Sequence, residues 1–414
     1  MKVLWICNNS PLENAKGGGG WFSSLTRNLK NHDKYIDLVF VFPGKIIEKN
    51  INQYYTFEHT AFDKPYNYKE ETEEFFLKII NIEKPDIIHV WGTEYYYSLA
   101  MVNAAERAGL LDRVVVHIQG ICFSYAEHVT SGLPISVIYG HTLHDVLIGG
   151  VIDTKRGFEK RGVHEIKVIK KVKHILGRTD WDRNLCYLVN DNMQYHFCRE
   201  MLRTPFYDGC WKYEDCNKYK VFISQAGYPI KGIHYFIKAF SFVVTKYPDA
   251  IVTIGGKNMI KNESLKDRLY SSFYGKYIAS LVKKYKLTNN IRFLGPLSAN
   301  EMKSEYLSAN VYIQPSTIEN SSNSLGEALL LGVPTIASYV GGTNCIVKDK
   351  ETGYLYQHDD TYSLASLIIK LFESKEICNN FSANSRRFAS EFYGIENVVE
   401  DVVKVYQSVL NSNE

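Results

Sequence analysis

The stretch Glu319-Asn320-Ser321-Ser322-Asn323-Ser324-Leu325-Gly326-Glu327 lies between two apolar runs. Before it, 311–313 predicts a buried strand ended by Pro315; after it, 328–331 predicts a helix stopped by Gly332 and Pro334. Strand, loop, helix and a further strand at 334–337, in that order, form the repeating unit of a parallel α/β sheet. The small polar residues of the loop then fall at a helix N-terminus. Backbone N–H groups without helical partners and the positive end of the helix dipole gather there and can seat a phosphate or diphosphate. Glu327 falls about two turns into this helix, where a carboxylate can accept paired hydrogen bonds from vicinal hydroxyls such as those of a ribose. Glu319, on the incoming loop, faces the other end of such a ligand. Two glutamates eight positions apart would by themselves mark no more than a solvated helix face; the order of elements around them gives them weight.

The same alternation runs the length of the chain. Strands are predicted at 3–7, 38–42, 87–91, 114–118 and 174–177, and again at 221–224, 251–255, 291–294, 311–313 and 334–337. Helical stretches at 17–29, 78–83 and 99–108 fall between the early strands. At 414 residues the chain suits two domains, and the polar, cysteine-bearing stretch 207–220 is the candidate linker. The fold class that follows is α/β, with two Rossmann-like domains.

The run 315–342, with Glu-x7-Glu, Glu327-Ala328, Gly332-Val333-Pro334 and the Gly341-Gly342 turn, closely resembles the retaining glycosyltransferases of family 4, which include sucrose synthase-like and mannosyltransferase-like enzymes of GT-B fold. The resemblance implies two Rossmann-like domains facing across a cleft. Residues 1–206 would form the acceptor domain and 207–394 the nucleotide-sugar donor domain, with the last helix, 395–414, packing back on the first. It implies a nucleotide-diphosphate sugar as donor, a carbohydrate or lipid-linked hydroxyl as acceptor, and no cofactor or metal. Lys231, in Tyr228-Pro229-Ile230-Lys231-Gly232, matches the family's lysine that meets the diphosphate, where a cation stabilises the charge that grows on the leaving group. The amides around Ser322, Asn323 and Ser324 would join it, Glu327 would hold the ribose, and Glu319 would meet the sugar near its reacting carbon. Gly18 and Gly19, in the run Gly17-Gly18-Gly19-Gly20 that follows the first strand, match the donor-proximal glycine loop, where a backbone without side chains can approach a ligand closely. An ordinary loop is the alternative.

Two positions depart from the family pattern. The arginine common five residues before the lysine is Ala226 here, and the histidine common after the strand at 114–118 is Gln119. Gln119 can hydrogen-bond a sugar hydroxyl but cannot exchange a proton near neutral pH. The family's same-face displacement, in which the leaving phosphate oxygen takes the acceptor proton, does not need it to. His117 points the other way by strand alternation and is expected to be packed. Arg178, ending the strand 174–177, is expected either to touch donor or acceptor or to form a structural salt bridge. Asp180-Trp181-Asp182 looks like the metal motif of the other large glycosyltransferase fold and is discounted as a chance match.

Composition narrows the rest. A formal charge of +3 without basic blocks interleaved with aromatics gives no support for nucleic acid. The eight cysteines form no Cys-x-x-Cys pair, and His196 with Cys198, Cys210 and Cys216 fits no familiar zinc spacing. With a strand at once after Met1 and no apolar run of spanning length, the expectation is a cytoplasmic protein. The basic run 155–173 suggests peripheral contact with anionic lipid on the inner face of a membrane, against the alternative of a solvated helix face over a buried stripe. The functional expectation is a retaining glycosyltransferase of surface polysaccharide or glycoconjugate assembly. A sugar-nucleotide epimerase of the same fold and a catalytically weak nucleotide-sugar-binding relative are the alternatives.

Overall fold

In a computed structural model, residues 1–10, 20–32, 35–45, 53–59, 63–260 and 271–412 are described. The strands are Lys2–Ile6 (β1), Asp37–Pro43 (β2), Tyr54–Phe57 (β3), Ile87–Trp91 (β4), Val114–His117 (β5), His174–Gly177 (β6), Gln194–Phe197 (β7), Asn217–Ile223 (β8), Ile251–Gly255 (β9), Ile291–Gly295 (β10), Ala309–Gln314 (β11), Thr335–Ser338 (β12) and Tyr354–Tyr356 (β13). The helices of the first half are Gly20–His32 (α1), Glu70–Glu83 (α2), Tyr96–Arg107 (α3), Cys122–His128 (α4), Ile135–Ile138 (α5), Leu143–Ile148 (α6), Val151–Lys171 (α7) and Asp180–Val189 (α8). Those of the second half are Ile233–Lys246 (α9), Phe273–Lys284 (α10), Ala299–Ser308 (α11), Asn323–Leu331 (α12), Thr343–Ile346 (α13), Thr361–Glu373 (α14), Lys375–Phe392 (α15) and Ile395–Asn411 (α16).

Contacts divide the chain into two compact units, Met1–Ser124 with Gly157–Thr204 and Phe392–Glu414, and Tyr125–Arg156 with Pro205–Glu391. Tyr125–Arg156, which the sequence reading counts with the first domain, belongs by its contacts to the second. The first unit carries a seven-stranded parallel sheet, ordered β3-β2-β1-β4-β5-β6-β7, and the second a six-stranded parallel sheet, ordered β10-β9-β8-β11-β12-β13. All strands pair in parallel. Helices on both faces bury the central strands, which accordingly read as unbroken apolar runs.

In the first unit, helix α16 closes over the sheet with Val398, Val402 and Tyr406 buried. The Tyr406 hydroxyl accepts from Trp5 Nε1 at 2.8 Å and meets His89 Nδ1 at 2.7 Å. In the second, the stretch expected to be a linker is packed structure. Trp211 is buried, its indole N–H donates to the Ala309 carbonyl at 2.7 Å and its backbone N–H to Leu331 O at 2.8 Å, and β8 begins at Asn217. A tryptophan in a polar stretch finds partners on the sheet and at the end of α12 because leaving it in water forfeits its large apolar surface.

Candidate functional site

Strand β11 is buried along its whole length, and burial continues past Pro315 to Asn320. Across residues 309–338 only Ser321, Ser322, Asn323 and Ser324 are half-buried; all the others are buried. This window to solvent is the N-terminus of α12. Ser322 is its N-cap, accepting from the Leu325 N–H at 3.4 Å, so the amides of the first turn face the opening without helical partners. Glu327 is the fifth residue of α12, little more than one turn in where two turns are expected, and 1 % exposed; the helix itself begins at Asn323, five residues before the apolar run at 328–331.

The loop that carries Glu319 is held from four sides. Thr317 N–H donates to the Ile230 carbonyl at 2.8 Å, Ser338 Oγ to the Ser316 carbonyl at 2.6 Å, Gly342 N–H to the Glu319 carbonyl at 3.0 Å, and Asn320 N–H to the Tyr125 hydroxyl at 3.1 Å. Two glycines make this possible. Gly232 (φ +68°) and Gly341 (φ +51°) are left-handed, and a Cβ on either would run into the carbonyl of Pro315 or of Glu319 respectively.

Glu319 and Lys231 meet here. Lys231 Nζ forms an ion pair with Glu319 Oε1, which also accepts from Ser316 Oγ at 2.9 Å. Burial works against the ammonium, but the adjoining Glu319 carboxylate and Tyr228 phenol outweigh it and hold the Lys231 pKa above the ordinary lysine range. The residue is therefore cationic throughout the physiological range. A small cavity borders the pair, lined also by Ser224, Gln314, Ser322 and Ser324. Thus Glu319, Lys231, Ser322 and Ser324 are brought together. Ala226 is buried beside an exposed Gln225, so the position where the family resemblance implies an arginine offers no second cation.

The remaining candidates lie in the first unit. Gln119 follows β5, and its carbonyl accepts from Arg178 Nη2 at 3.2 Å. Arg178, 2 % exposed, is in an ion pair with Glu200, so the structural salt bridge is present. His117 is buried and stacked on Trp91 at 4.6 Å; burial first, and the Arg178 charge second, push its pKa well below the usual histidine range. Asp182, in the first turn of α8, is fully buried, accepting from Arg178 N–H at 3.0 Å and from the Tyr195 hydroxyl at 2.6 Å, which is a structural use of the motif's second aspartate. All eight cysteines are free thiols. In the basic run 155–173, Val168, Ile169 and Val172 are buried while Arg156, Lys160, Lys167 and Lys170 are exposed. Gly18 and Gly19 lie outside the described residues. A cavity between the end of β3 and α2, lined by Phe57, Lys69, Phe75 and Lys78, contains none of the candidates.

Glu94 and Tyr125 carry no motif that marks them in the sequence. Glu94 follows β4 beside β1, the point where the strand order of the first sheet reverses and where α/β sheets bind ligands. Its Oε1 accepts from Gly120 N–H at 3.1 Å, and burial raises its pKa. The run Trp91-Gly92-Thr93-Glu94 after a predicted strand was the available signal.

Residues 213–388 match the family model described as glycosyl transferases group 1. The putative glycosyltransferase YtcC of Bacillus subtilis is 26 % identical over 184 residues, 44 % of this chain and 43 % of YtcC, so the match spans less than half of that relative. The N-acetyl-alpha-D-glucosaminyl L-malate synthase of Bacillus anthracis is 22 % identical over 377 residues, 89 % of this chain and 84 % of the synthase. Among solved structures, Anabaena HepE in complex with UDP-glucose aligns over 99 % of this chain and 100 % of its own, with a TM-score of 0.69 at 15 % identity. Residues 213–388 are thus similar to group 1 glycosyltransferases, within a chain that has the two-Rossmann-like GT-B fold.

Proposed function

We propose that the protein is a retaining glycosyltransferase of family 4 type, moving a sugar from a nucleotide-diphosphate donor to a hydroxyl acceptor in surface polysaccharide or glycoconjugate assembly on the cytoplasmic side of a membrane. The observation that carries this reading is the single opening in the 309–338 segment. There a helix N-terminus, a permanently charged lysine and a carboxylate adjoin one small cavity. The amides around Ser322 and Ser324 and the Lys231 ammonium suit a diphosphate; Glu327, a turn further in, suits ribose hydroxyls. Glu319 holds Lys231 until the donor arrives and then meets the sugar. A structure of HepE with UDP-glucose supports a nucleotide sugar as donor. As the glycosidic bond to phosphate lengthens, Lys231 and the helix amides stabilise the growing charge, and the leaving oxygen takes the acceptor proton. Roles for Gln119, Arg178, Gly18 and Gly19 rest on the family resemblance alone, as does the absence of a metal requirement. Contact of the exposed basic face of 155–173 with anionic lipid would bring the enzyme to a lipid-linked acceptor.

The test is a thermal-shift screen across nucleotide sugars, followed by incubation of the best donor with candidate acceptors. The reading requires release of nucleoside diphosphate that depends on acceptor. Conversion of the donor to an epimer without acceptor would establish the epimerase instead, and binding without turnover the weakly active relative.

A further inference from the structure

Helix α6 is an amphipathic helix turned inside out. Its acidic residue Asp145 faces in, 2 % exposed, accepting from Thr142 N–H at 2.9 Å in a capping box and from Phe273 N–H at 2.7 Å. Its apolar residues face out: Leu143, Val146, Leu147 and Ile148 are 67–76 % exposed, and Ile135 and Tyr139, just before it, are 76 % and 61 % exposed. A helix in contact with water alone carries the opposite pattern. Six large apolar side chains exposed within 14 residues form a patch of the kind that marks an interaction surface.

Charge selects the occupant. The neighbouring α10, tied to α6 through Phe273, carries Lys276, Lys283 and Lys284, followed by Lys286, with no acidic residue across 273–286. All four lysines are exposed. Apolar side chains beside a basic helix match the boundary of an anionic bilayer, where acyl chains take the former and phosphate headgroups attract the latter. A symmetric contact with a second copy would instead bring lysine-rich edges of like sign together. We infer that α5 and α6 insert shallowly into an anionic lipid surface, with α10 facing its headgroups. This contact uses residues other than the basic run 155–173 and does not depend on which sugar is transferred.

The experiment is sedimentation of the full chain with vesicles of phosphatidylglycerol and phosphatidylcholine in equal parts, and with phosphatidylcholine alone, beside analytical ultracentrifugation without lipid. Binding to the anionic vesicles is expected. The double substitution Leu143→Ser with Leu147→Ser should weaken it roughly tenfold or more, and Lys283→Glu with Lys284→Glu should weaken it severalfold. Both pairs are exposed, so unchanged thermal melting shows that the fold is intact. Wild-type protein that stays with the supernatant overturns the inference. So does binding that survives Leu143→Ser with Leu147→Ser but is lost in Lys167→Glu with Lys170→Glu, which would leave the contact at 155–173 standing. A dimer in ultracentrifugation that those serines dissociate would assign the patch to a second copy.

Discussion

Two ion pairs at the carboxyl ends of parallel strands make an instructive contrast. Arg178 and Glu200, following β6 and β7, have side chains 2 % and 1 % exposed; Lys231 and Glu319, following β8 and β11, have side chains 16 % and 11 % exposed and sit beside the opening at Ser321–Ser324. The first pair is sealed, and each charge has traded water for the other permanently. The second is partly open to solvent, so it can exchange its partner for an arriving anion. A sealed pair sets geometry; an open pair is available for chemistry.

The contrast breaks most readily at the sealed pair. Arg178→Ala leaves Glu200 charged and buried without its partner, and chemical denaturation should show a loss of about 3–5 kcal/mol. Arg178→Met combined with Glu200→Leu should recover most of it, since both charges leave together. The open pair should respond in rate instead. Lys231→Ala is expected to lower kcat about a hundred- to a thousandfold, through lost stabilisation of the leaving diphosphate, with a much smaller change in stability than Arg178→Ala. Equal losses of stability in the two variants would erase the distinction.

A third carboxylate sharpens it. Glu165 is fully buried in the first unit, accepting from Thr93 Oγ1 at 2.6 Å and Phe123 N–H at 3.1 Å, and burial pushes its carboxyl up to about 7 from 4.5. Because the folded pKa is raised, its contribution is complete below pH 4.5. It is lost as pH rises to about 7, over which the unfolded chain ionises first. Glu165→Gln should remove this slope and raise stability at pH 8 by on the order of 2–3 kcal/mol relative to wild type. An unchanged pH profile of denaturation midpoints would show that Glu165 is ionised in the fold. The smallest effect is expected at Tyr125, whose hydroxyl accepts from Asn320 N–H next to Glu319. Tyr125→Phe should cost about 1 kcal/mol, read as a roughly fivefold fall in kcat/KM at unaltered melting temperature. No change would mean that the other three bonds to the loop suffice.

Much of this was legible in the sequence for a physical reason. Central strands such as β4, β6 and β9, buried on both faces, read as apolar runs and were located residue for residue. The strands that went unread, β3, β7 and β13, are all edge strands. The last two are four and three residues long, too short for a periodic signal, and β7 also mixes apolar with polar groups in Gln194-Tyr195-His196-Phe197. The site was legible where it is local: Ser322, Asn323, Ser324 and Glu327 share one helix start. Tyr125 was not, since it reaches a loop 195 residues away. Nor could Leu143-His144-Asp145-Val146-Leu147-Ile148 say which face turns inward; the Phe273 amide decides that from another helix.

The central claim is that the opening at the start of α12 receives a nucleotide sugar, with Glu327 holding the ribose. Calorimetric titration of the best-stabilising nucleoside diphosphate into wild-type and Glu327→Ala protein tests it most directly. The dissociation constant is predicted to rise by roughly tenfold or more in the variant, as the loss of hydrogen bonds to a charged group requires. An equal affinity in both proteins, with the variant folded, would contradict the account.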